Sequence, residues 1–105
     1  MNGTVVISGK AHFLRFTVNH LCCAEEAAAQ PLHALMNGSF LGIRAILWCG
    51  LMDEKITLEE AGEMLQAYLQ QGGTLKQLSE ILANALCDAG FFHCPVQETG
   101  EAPSA

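Results

Sequence analysis

His20, Cys22 and Cys23 crowd one end of this chain, and Cys87, His93 and Cys94 crowd the other. Neutral imidazole and thiolate are the usual zinc ligands, so a metal shell is the first chemistry these residues could do. The spacing argues against it. Structural zinc sites favour paired ligands such as C-x-x-C. Adjacent cysteines on a helix point about 100° apart, so one joins a site only when the other leaves it. A nucleophilic cysteine helped by a histidine is the second chemistry. Such partners meet in space and not in sequence, and nothing here singles one out. No phosphate-binding glycine loop, nucleophile elbow or H-E-x-x-H pattern occurs, and "SGK" at 8–10 lacks the upstream glycine of a nucleotide loop. No metal, cofactor or catalytic residue is expected, and the chain reads as a non-enzyme.

"MDEKITLEEAGEML" invites a calcium test, because helix, acidic loop and helix also make an EF-hand. Counted from Asp53, the third and fifth positions are Lys55 and Thr57, and the twelfth is Met64, where a bidentate glutamate is required. Glu59, Glu60 and Glu63 read more simply as a solvated first turn that complements the helix dipole. Trp48 and Tyr68 could stack a ligand, yet each lies in an apolar helical stripe and reads first as core. Met36, Met52 and Met64 read the same way, the competing reading being an adaptable partner groove.

The elements that would position these residues follow from periodicity. "TVVI" at 4–7 and "AHFLRFT" at 11–17 are strand-like and flank a turn at Gly9, which predicts a hairpin whose apolar face must lie on helices. Thr17 or Asn19 caps a helix to about Ala29, stopped by Pro31, with Val18, Leu21, Cys22, Ala28 and Ala29 at helical spacing. "LHALMNG" gives a short helical turn with Asn37 and Gly38 suited to its left-handed end. Ser39 opens "SFLGIRAILWCGLM", whose only charge is Arg44, so this helix is expected at the centre. "DEKI" is a polar connection. Thr57 with Glu60, and Thr74 with Gln77, form capping boxes for two amphipathic helices, which end at Gly72–Gly73 and at Gly90. The inward stripes are Ala61, Met64, Leu65, Tyr68 and Leu69, then Leu75, Leu78, Ile81, Leu82, Ala85 and Leu86. The fold class is α+β, mainly α: a short hairpin packed on about four helices, one domain over residues 1–96, with 97–105 read as a disordered tail.

With 105 residues the chain supports one modest core. Five Lys plus Arg against eleven Asp plus Glu give a net charge of -6, which disfavours nucleic acid and anionic membranes as partners. Half the residues are hydrophobic and only 15% are charged. So small a domain is expected to turn some of that apolar surface toward a partner protein. No run approaches the roughly 18 apolar residues of a membrane helix, and no signal peptide is evident, so a soluble cytoplasmic protein is expected. Its five cysteines are then reduced thiols packed as small hydrophobes.

In order and spacing, several segments carry a resemblance. They are Gly9 and Lys10 before Phe13 to Phe16, Leu21 with Glu25 and Glu26, "RAILWCGL" from Arg44 to Leu51, and "ITLEEAG" from Ile56 to Gly62. Together they resemble the small phage tail assembly chaperones, in particular the group related to a tail-region protein of gene transfer agents. The resemblance covers roughly residues 5 to 70, and Cys22, Cys23 and Cys49 are not part of it. It implies a non-catalytic phage or prophage protein of the bacterial host cytoplasm. Such a protein coats the tape measure protein, assists tail tube assembly, and is absent from the mature virion. Tape measure protein, tail tube protein and further copies of the chain are the partners implied. The rival is a cytoplasmic helical adaptor or regulatory module with an unrelated partner. Phe40, Leu41, Trp48, Leu51, Phe91 and Phe92 are the candidate partner-binding residues, with ordinary core packing as the competing reading for all six.

Overall fold

The computed structural model describes residues 3–36 and 39–91. Ser8 and Gly9 have φ of 55° and 80°, the two left-handed residues that a tight hairpin turn needs. They join β1 (Thr4–Ile7) to β2 (Lys10–Phe13) in an antiparallel pair, with Ile7 opposite Lys10 and Val5 opposite His12. The second strand is shorter than the expected 11–17. Leu14 N–H still donates to the Gly3 carbonyl at 2.6 Å, but Arg15 N–H donates to the carbonyl of Gly50 at 2.9 Å. Beyond Leu14 the chain turns to the helical layer. Alternation nevertheless continues: His12, Leu14 and Phe16 are buried while Ala11, Phe13 and Arg15 are exposed.

Thr17 caps α1 (Val18–Ala28), its hydroxyl accepting from His20 N–H at 3.1 Å. The buried face is Leu21, Ala24 and Ala28, which corrects the expected stripe: Val18, Cys22 and Ala29 are exposed. α1 ends because Ala29 takes a left-handed φ of 56°, with Ala29 and Gln30 N–H groups turned back onto the carbonyls of Glu26 and Glu25. Pro31 then opens the single turn α2 (Leu32–Leu35), and Glu25 accepts from Leu32 N–H at 2.7 Å. Asn37 and Gly38 lie outside the described residues.

Ser39 caps α3 (Phe40–Gly50) through Gly42 N–H at 3.1 Å. This helix is central, touching α1, α2, α4 and α5, and seven of its eleven residues are buried. It runs on into a 3-10 turn at Met52–Glu54, closed by Lys55 at φ 60°, where a plain polar connection was expected. Both capping boxes form, for α4 (Leu58–Gln70) and α5 (Leu75–Asp88). Gly72 and Gly90 supply the left-handed ends of these helices. Ala61, Leu65 and Tyr68 of α4 and Leu78, Leu82, Ala85 and Leu86 of α5 are buried, as their period requires.

One hydrophobic cluster runs from Val5 to Leu86. β1 lies on α4 and α5. Polar contacts fasten the hairpin segment to the helices, among them the Arg15–Gly50 bond, the ion pair of Arg15 with Asp53 at 3.0 Å, His12 with Glu54, and Gln71. The Gln71 side-chain amide donates to the Val6 carbonyl and accepts from Ser8 N–H, both at 2.8 Å, so it occupies the free edge of β1 as another strand would. The architecture is α+β, mainly α, with a two-stranded hairpin on a helical layer.

Candidate functional site

α3 is buried along most of its length, but its first two residues are not. Phe40 is 62% and Leu41 42% exposed. With Arg44, one turn further on, and Leu65 of α4 they line a shallow cleft between the two helices. The helical period puts Phe40, Leu41 and Arg44 on adjoining parts of one surface, while Ile43, Ile46 and Leu47 turn to the core. Arg44 has a singular environment. Its Nε is buried and has no hydrogen-bond acceptor among the described residues. A Cβ at Gly62 would stand 3.3 Å from the Arg44 Cδ, so the stem of the side chain lies against α4 where that helix is barest.

The other expected partner-binding residues distribute differently. Leu51 is fully buried in the hydrophobic cluster and leaves the list, because the chain bends into the 3-10 turn beneath it. Trp48 is half-buried against the core, and its indole N–H donates to the Ile56 carbonyl at 3.1 Å, which holds the turn onto α3. Phe91 packs partly buried against the core, and Phe92 lies outside the described residues. Phe40 and Leu41 are therefore brought together, and Trp48, Leu51 and Phe91 are not joined to them. Val6, Phe13 and Val18, at 52%, 73% and 65% exposure, form further exposed apolar surface that the sequence reading missed. Strict alternation around Leu14 and Phe16 is the signal that would have turned Phe13 outward and His12 inward.

The thiols are scattered. Cys22 is exposed, Cys23 half-buried and Cys49 fully buried, its S–H turned to the Ile46 carbonyl at 3.2 Å. Burial pushes the Cys49 thiol up to about 12, helped by the neighbouring Cys23 and opposed by a hydrogen bond from its own backbone. Such a group is neither nucleophile nor metal ligand near neutrality. Cys87 is disulfide-bonded, which corrects the expectation that all five cysteines are reduced. His20 Nδ1 donates to the Arg15 carbonyl at 2.9 Å. Among the described residues no three of His, Cys, Asp and Glu converge as a metal shell would need.

His12 is the buried polar side chain of the core face, and both Glu54 oxygens hold its Nδ1, at 2.9 and 3.0 Å. The pair lines a groove between the hairpin and α4 that also holds Ser8, Lys10, Glu60 and Glu63. An imidazole oriented by a carboxylate beside a hydroxyl has the parts of a nucleophilic triad. The nucleophile–base hydrogen bond of such a triad is not made here: Ser8 bonds through its backbone, to Gln71. The pair serves to pin the hairpin to the 3-10 turn.

No described helix is long and apolar enough to cross a membrane. Compared with protein-family models, with curated proteins and with solved structures, the chain finds no match.

Proposed function

We propose that this protein is a non-catalytic helix-binding module that works as a phage or prophage tail assembly chaperone. In this role it covers apolar helical surface of the tape measure protein in the bacterial host cytoplasm until tail tube subunits replace it. The observation that carries the reading is the exposure of Phe40 and Leu41 on a helix otherwise given over to the core. An exposed aromatic beside an arginine has the composition of an interface core. The order of segments from Gly9 to Gly62 that resembles the tail chaperones supplies the partner class. An acidic domain covering apolar helices would keep the complex soluble, and a small patch suits binding that must later be reversed.

Expression together with the surrounding tail genes, followed by recovery of the tagged chain, tests this reading. Co-purification of tape measure protein, reduced by Phe40→Ser with the fold intact, is expected. Recovery without any tail protein, or with an unrelated regulator, would replace it with the adaptor reading.

A further inference from the structure

The geometry points to a specific occupant of the α3–α4 cleft: an amphipathic helix that carries one carboxylate on its apolar face and sets it on Arg44. This rests on reading Phe40 and Leu41 as a docking surface and names the chemistry of what docks there.

Arg44 is the only charge in α3, and among the described residues its side chain makes no hydrogen bond or ion pair. A guanidinium N–H withdrawn from water without an acceptor is costly, and a carboxylate meets it with two parallel bonds. Its stem lies against Gly62 and the side chain lines the cleft, so an acceptor seated there meets a guanidinium that is already close by. The cleft walls select the rest of the occupant. Phe40, Leu41 and Leu65 call for apolar side chains around that carboxylate, which a free anion does not have. Nucleic acid would meet a chain of net charge -6. A second copy docking by the same patch would bring two Arg44 side chains toward one axis. A helix laid between two helices offers apolar side chains and one acid at suitable spacing. The acidic chain further favours lysine on the outer face of that helix.

The test titrates the full chain, labelled with nitrogen-15, with two synthetic helical peptides. Both carry leucine on one face and lysine on the other, and they differ by Glu or Gln at the centre of the leucine face. Both are expected to shift the amides of Phe40, Leu41 and Leu65, with the Glu peptide binding about tenfold tighter. Arg44→Met should abolish that preference, with Arg44→Gln in its place if the first variant does not fold, and Phe40→Ser should weaken both peptides alike. A Glu preference missing from the parent chain, or surviving loss of Arg44, would overturn the inference. So would a dimer that Phe40→Ser dissociates, or the binding of neither peptide. If tape measure protein co-purifies equally with Arg44→Met, the carboxylate fails while the chaperone reading stands. If the Glu peptide is preferred but no tail protein is recovered, the reverse holds.

Discussion

Gly42 lies directly beneath the carbonyl of Leu35, so close that a Cβ on the glycine would overlap the carbonyl oxygen. This contact lets the single turn α2 sit on the first turn of α3 and buries Leu35 completely. Gly42→Ala must push the two backbones apart. It is expected to cost about 1–3 kcal/mol despite the better helix propensity of alanine. Urea denaturation should show a lower midpoint with an unchanged slope.

Ala29 occupies the left-handed position at the end of α1, where a Cβ is unfavourable. Ala29→Gly removes that strain while leaving the closing bonds to Glu25 and Glu26 in place. A gain of about 0.5–1 kcal/mol is expected. A thermal midpoint that fell on this substitution would show that the strain is absorbed elsewhere.

These two positions illustrate what the sequence discloses. Capping boxes at Thr57 and Thr74, the buried character of α3 and the stripes of α4 and α5 depend on local spacing, and all are present as read. The buried face of α1 is not encoded in its spacing, because Leu21 is its one large buried side chain and alanines decide the orientation by how they fit a neighbour. The candidate site was half legible. Phe40 and Leu41 stand out as apolar residues in the first turn after a cap, but the burial of Leu51 follows from a bend in the chain that periodicity does not encode. The lone guanidinium of Arg44 depends on what α4 brings beside it, a long-range fact.

Glu54 is partly open to water whereas His12 is buried. Glu54→Ala leaves the imidazole Nδ1 facing a gap, at an expected cost of about 1 kcal/mol after solvent screening. Glu54→Gln keeps an acceptor and should lose less. Amide exchange in β2 should accelerate in the alanine variant before exchange in α3 does.

Cys49 gives a chemical readout of the core. Under native conditions iodoacetamide should modify Cys22 first and Cys49 only after unfolding, as peptide mass mapping would show. Its thiol is raised from 9.0 to about 12 in the folded chain, so the unfolded chain gives up this proton first. Its contribution to stability is complete below pH 9.0 and declines between there and about pH 12. Cys49→Ala should flatten that part of the alkaline stability curve.

The residues that hold the hairpin in place, among them Gly50, Asp53, Glu54 and Gln71, come later in the chain, and the link from Val6 to Gln71 spans 65 positions. A lone hairpin is marginal in water. On the ribosome, Val5 and Ile7 of β1 therefore emerge well before α4 and α5, the helices on which that strand lies. Closure of the hairpin onto its helices is thus deferred until most of the chain has been made.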